Sequence, residues 1–144
     1  WRVGPASDPV ASESYTAESF MPAGAGLRPF SVAHVAQPFR TPRAPGDLTI
    51  RWTRRSRAPA ADSWLGLEVP LVEEIEAYEV EILDGAGAVL RTLSASGPSV
   101  VYSGAAQTED FGAPLGPGDA LEVRIFQLST AVGRGWPKST TLFF

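Results

Sequence analysis

The sequence predicts an all-β fold: an antiparallel β-sandwich of about seven strands, preceded by an extended arm. Three observations lead there. Apolar and polar residues alternate in three segments, with Leu48, Ile50 and Trp52 interleaved with Thr49, Arg51 and Thr53. The same pattern sets Tyr78, Val80 and Ile82 against Glu79 and Glu81, and Leu121, Val123 and Ile125 against Glu122 and Arg124. A strand's side chains point to opposite faces in turn, so each segment has one face for a core and one for water. Next, 14 glycines and 13 prolines punctuate the 144 residues at short intervals. Finally, no long window free of them carries apolar residues at helical spacing.

The elements follow in order. Residues 1–27 are too few to form a core. Arg2 to Pro5 and Ser14 to Met21 read as short extended pieces joined by a polar loop, either an arm on the sandwich or the end of a preceding domain. Residues 28–144 hold the sandwich. Ser31 to Gln37, bounded by Pro29 and Pro38, reads as an edge strand, since proline cannot donate to a ladder. The segments at Leu48 and Tyr78 come next. Ala88 to Leu93 follows the turn Asp84-Gly85-Ala86-Gly87 and reads as the return arm of a hairpin. Ser99 to Ser103, the segment at Leu121, and Ser139 to Phe144 complete a sandwich of the immunoglobulin-like type.

Composition narrows the chemistry. One domain fits this length. There are no cysteines, which excludes disulfides, thiol catalysis and Cys-ligated metal. The single histidine, His34, offers no partner for a metal site and reads as a satisfied strand residue. No apolar run is long enough to span a membrane. A net charge of −4 argues against a nucleic-acid binder. The chain starts at Trp1 without a signal-peptide pattern, as expected of a piece of a longer protein. Charge is blocked: Arg40, Arg43, Arg51, Arg54, Arg55 and Arg57 precede Asp62, Glu68, Glu73, Glu74, Glu76, Glu79, Glu81 and Asp84. Such blocks read first as neighbouring solvated faces, and second as an arginine patch for phosphate or lipopolysaccharide.

Glu73 and Glu74 are adjacent, so an extended backbone points them apart and they do not make a glycosidase pair. Gly85-Ala86-Gly87 lacks the features of a phosphate loop, and Gly133-Arg134-Gly135 reads as a glycine-shaped turn. No catalytic residue, metal ligand or cofactor is expected. The core anchors are Trp52, Tyr78, Val80, Val123 and Ile125, with Tyr102 also inward. Trp64 lies in a long connection, where binding often resides, or it folds back as a plug over the core. Phe126 and Leu128 fall on the outward phase and call for a cover from the arm or a neighbouring chain.

Two resemblances extend this reading. Gly46 to Trp52, Ile75 to Val80, and Gly116 to Ile125 with Gly133-Arg134-Gly135 resemble the second, third and sixth strands of a fibronectin type III domain, with Trp52 as its core tryptophan. Leu121 stands where that family has its corner tyrosine, which implies a looser preceding loop. The resemblance makes the third and sixth strands neighbours, placing Glu79 and Glu81 on one face with Arg124. It also brings the loops 57–68 and 129–136 to one end, with Trp64, Arg134 and Trp136 as the candidate contact surface. A second set of stretches is similar to the C-terminal region of the large tail-tip protein of bacterial gene transfer agents and related siphophages. These are Gly26 to Phe30, Ile50 to Arg57, Asp62 to Trp64, Gly66 to Pro70, Ala77 to Val80, Val123 to Ser129 and Val132 to Pro137. That family's hydrolase-like barrel lies upstream, so no catalytic residue carries over. The resemblance implies a structural module in the tail tip or baseplate of a virion-like particle. Its partners would be other tail subunits in a homo-oligomeric assembly, with contact to a host surface glycan or receptor. The alternative is a carbohydrate-binding module attached to a glycoside hydrolase, with Trp64 stacking on sugar.

Overall fold

The computed structural model describes residues 2–19, 21, 24–36, 44–58 and 69–144. Its N-terminal part is a small hairpin in which β1 (Arg2–Val3) pairs antiparallel with β2 (Thr16–Ala17). Tyr15 organises it. The ring lies so close to Gly4 that a Cβ there would meet ring carbons at 2.5 Å, and the hydroxyl donates to the Pro5 carbonyl at 2.8 Å. A short 3-10 turn, Ala25–Leu27, leads into the sandwich.

The sandwich has two antiparallel sheets. One is ordered β3 (Ala33–Ala36), β4 (Leu48–Thr53), β7 (Ser99–Tyr102). The other is ordered β10 (Lys138–Phe143), β8 (Ala120–Ser129), β5 (Tyr78–Leu83), β6 (Val89–Ala95), with the short β9 (Gly133–Arg134) folded back onto the end of β8. All seven expected strands are present, and β5 and β8 are neighbours, with Glu81 opposite Arg124. Asp84 shapes the β5–β6 turn: its carboxylate accepts from the Ala86 and Ala88 amides at 2.9 and 2.8 Å.

The core follows the alternation. Leu48, Ile50 and Trp52 of β4 face Tyr78, Val80 and Ile82 of β5 and Leu121, Val123 and Ile125 of β8, all buried. Trp52 meets Tyr78 edge to face, with ring centroids 5.1 Å apart. Val32, Tyr102, Leu115 and Leu142 close the cluster.

One local expectation holds and one is corrected. His34 lies in β3, as expected, with its side chain exposed. It has φ 48° and sits where two residues of β3, His34 and Val35, oppose one of β4, Trp52. An extra residue in one strand makes a bulge, and a left-handed φ costs a non-glycine residue about 1–2 kcal/mol.

The segment before Leu121 is not loose. It contains a helix, α1 (Gly104–Phe111), that helical periodicity did not disclose because it is short and buries a single side chain, Gln107. The signals present were its caps. The Ser103 hydroxyl accepts from the Ala106 amide, and Gly112 ends the helix at φ 85°. Gln107 does what a corner tyrosine would otherwise do. Its amide donates to the carbonyls of Gly46 (2.9 Å) and Tyr102 (2.7 Å), and its carbonyl accepts from the Leu115 amide (3.0 Å). The Asp47 carboxylate adds a bond from the Gly104 amide at 2.9 Å.

The β8–β9 hairpin depends on glycine twice. Gly133 has φ 72°, and Gly135 passes so close to the neighbouring chain that a Cβ would lie 2.6 Å from the Pro29 carbonyl oxygen and 2.9 Å from that of Gln127. Both obstacles are backbone and neither can rotate away. Gly135→Ala therefore destabilises the domain by about 2 kcal/mol, the usual scale for forcing atoms into a packed site. Urea denaturation checks this, and a change within about 0.5 kcal/mol, the range of neutral surface changes, would contradict it.

Candidate functional site

The end of β4, the approach to β5 and the β8–β9 turn converge at one end of the sandwich. Arg54 pairs with Glu76 at 2.9 Å and also donates to the Val69 carbonyl. Arg57 pairs with Glu73 at 2.8 Å. Glu74 turns the other way and accepts from the Ser129 hydroxyl and the Thr130 amide. Two arginines of the basic block, Arg54 and Arg57, thus meet the acidic block as ion pairs here. Adjacent Glu73 and Glu74 serve different partners and do not face one another. Glu74's carboxyl is held below its ordinary value of 4.5, first by backbone hydrogen bonding and then by Thr130. Glu76 also accepts from the buried Tyr78 hydroxyl at 2.9 Å; burial and this bond push that phenol well above its usual range.

The outer face of β5 and β8 carries a second network. Glu81, with a side chain 6% exposed, accepts from Arg124 at 2.6 Å and from Arg134 at 2.7 Å. Arg134 also reaches Glu79 at 2.6 Å. The Arg134 guanidinium lies 4.6 Å from the Phe126 ring centroid, and that of Arg124 lies 5.9 Å away. Phe126 is 8% exposed. Its cover comes from these arginines of its own sheet and hairpin, not from the arm or another chain as expected. Outward-facing Phe126 and buried Glu81 explain one another: the guanidiniums shield the ring and neutralise the carboxylate.

A third network lies at the far end, where Arg91 forks to both Asp110 oxygens at 2.7 and 2.9 Å and the Tyr102 hydroxyl donates to Asp110 at 2.6 Å. Arg91 is the largest influence lowering the Asp110 carboxyl below its ordinary value of 3.8. For Glu81, burial alone would raise the value, and Arg124 and Arg134 outweigh it, so the net direction is down.

These depressed carboxylates set a pH dependence. A group that binds its proton less readily folded than unfolded adds stability that is complete above the unfolded value and lost as pH falls through the folded one. The melting temperature is therefore flat from neutral pH down to the ordinary carboxylate range. It then falls through the more acidic values of Asp110 and Glu81. Circular dichroism melts across pH check this, with Glu81→Gln flattening part of the decline. A melting temperature that rises on acidification through this range would contradict it.

Of the expected contact residues, Arg134 is half-exposed yet engaged by Glu79 and Glu81. Trp136 is 46% exposed, anchored by its amide to the Pro29 carbonyl at 2.9 Å, with Arg28 over its ring at 5.5 Å. Trp64 lies outside the described residues. Sequence reasoning did not single out Arg28 or the pair of Arg55 and Phe30, 5.2 Å apart. Their signal was the alternation of Arg28 and Phe30 around Pro29.

A shallow groove of about 290 Å³ runs over Leu83, Glu122, Val123 and Ser139 to Thr141 on β5, β8 and β10. Glu122 is the one titratable group lining it. Among the described residues no three metal-ligating side chains cluster, and no helix is long and apolar enough to cross a membrane.

Among solved structures, the chain is similar to the fibronectin type-III domain of human fibronectin type III domain containing protein 3. The TM-score is 0.50 at 11% identity, covering 80% of this chain and 84% of that one. It is also similar to the rat CD45 extracellular region, domains d3-d4, with a TM-score of 0.49 at 12% identity, covering 80% of this chain and 49% of that one. No family model and no curated protein matches. The first likeness identifies the fold: an all-β sandwich of the fibronectin type III kind.

Proposed function

We propose that the chain is a structural module of the tail tip or baseplate of a phage-like particle, packing against other tail subunits and presenting one end to the host cell surface. In this reading residues 28–144 are the module and residues 1–27 its connecting arm. The observation that supports it is where the tail-tip-like stretches fall. Ile50 to Thr53, Tyr78 to Val80 and Val123 to Ser129 form β4, β5 and β8, and Arg54 to Arg57 with Val132 to Pro137 form one loop end. Core and loop end therefore share one source of similarity, as expected of a module kept whole. The ion pairs described above rigidify that end, which suits a part with a mechanical role.

An antibody raised against this chain tests the reading by electron microscopy of particles from the producing cells. Label at the distal end of the tail is the expected result. Label on heads, or protein found only free of particles, would overturn it.

A further inference from the structure

Two sets of arginines stand out among the described residues. Arg54, Arg57, Arg91, Arg124 and Arg134 each pair with a carboxylate. Arg28 and Arg55 have no carboxylate partner among the described residues, and each instead lies over an aromatic ring: Arg28 over Trp136 at 5.5 Å, Arg55 over Phe30 at 5.2 Å. The two pairs are contiguous. Arg28 is extended at φ −67°, ψ 138°, and Pro29 turns into the core at under 2% exposure, so Arg28 and Phe30 emerge on the same side. Two residues of extended chain separate them by about 7 Å. The Trp136 amide on the Pro29 carbonyl ties the first pair to the same backbone.

A guanidinium held over a ring is pre-organised. It loses little rotational freedom on binding, and its N–H fork matches a carboxylate or phosphate in two parallel bonds. Trp136 is 46% exposed and Phe30 38% exposed, so an apolar surface lies beside each fork.

We propose that this patch binds an acidic polysaccharide, one guanidinium to each of two acid groups along the chain. A sugar acid carries an anionic group on the rim of a ring that also has an apolar C–H face, and each aromatic–arginine pair offers complements to both. Single-stranded nucleic acid fits less well. It requires open ring faces for the bases and a continuous cationic track, and the net charge of −4 opposes it. An acidic peptide has the charges but no apolar ring face. The inference names the ligand class for the host-surface contact in the reading above. Its test uses the chain alone, so failure here leaves the particle-labelling result standing.

The experiment is affinity electrophoresis of the whole chain in gels containing polygalacturonate, with neutral dextran, poly-glutamate and a single-stranded oligodeoxynucleotide as comparisons. Retardation by polygalacturonate above all three is expected. Replacing both arginines, Arg28→Gln with Arg55→Gln, weakens it at least about tenfold, the scale of one lost charge-assisted fork, with an unchanged melting temperature. The lysine pair, Arg28→Lys with Arg55→Lys, keeps the charge but not the fork and also weakens binding. Each of the following would overturn the proposal: no retardation by polygalacturonate, equal or stronger retardation by poly-glutamate or the oligonucleotide, or full binding by either double variant.

Discussion

Trp52→Ala lowers the stability of the domain by about 3–5 kcal/mol, the range for removing a buried aromatic side chain. Trp52 is 5% exposed and stands edge to face with Tyr78, whose ring is fully buried. Truncation removes that contact and opens a cavity between the two sheets, where β4 faces β5. A domain of this size has roughly 5–15 kcal/mol in total, so the variant is close to the threshold of folding. The melting temperature falls by about 10 °C or more. Thermal melts followed by circular dichroism measure it. Trp52→Phe, which keeps an apolar ring in the space, recovers most of the loss. An alanine variant melting with the wild type would mean that the indole contributes no packing.

Gln107→Ala costs about 2–4 kcal/mol for a different reason. Three hydrogen bonds disappear together, and the Leu115 amide and Tyr102 carbonyl are left in a buried setting without the partner they had. An orphaned buried polar group carries about 1–3 kcal/mol of desolvation. Gln107→Leu separates this from simple loss of volume. It fills the space but restores none of the bonds, so it remains destabilised like the alanine variant. Hydrogen exchange at the Leu115 amide accelerates in both. If Gln107→Leu proved as stable as the wild type, the side chain would be filling space and not bracing α1 against the segment that leads into β4 and the end of β7.

The strands were readable because burial on one face imposes a two-residue rhythm on composition. Leu48, Ile50 and Trp52 carry it on β4, and Leu121, Val123 and Ile125 carry it on β8. Helix α1 was not readable in the same way. With Gln107 as its one buried side chain, it writes no apolar stripe, and its caps at Ser103 and Gly112 were the remaining trace. The missing corner tyrosine was visible at Leu121, but its consequence was not, because the substitute brace comes from a polar residue in a different element.

The surface divides along the same line. That Glu79, Glu81 and Arg124 share a face follows from strand phase together with the resemblance that made their strands neighbours. That Arg134 joins them from 55 and 53 residues away does not, since it depends on β9 folding back over β8. The same turn carries Trp136 to Pro29, and through it to Arg28. The sequence by itself determined which residues lie in strands and which side of each strand meets the core, because those properties repeat locally every two residues. Only the tertiary structure decided which arginines are neutralised by carboxylates, as Arg124 and Arg134 are, and which, like Arg28 and Arg55, lie over a ring without one. A charge's partner is set by strand order, loop closure and close glycine contacts between segments far apart in the chain, and no local pattern records them.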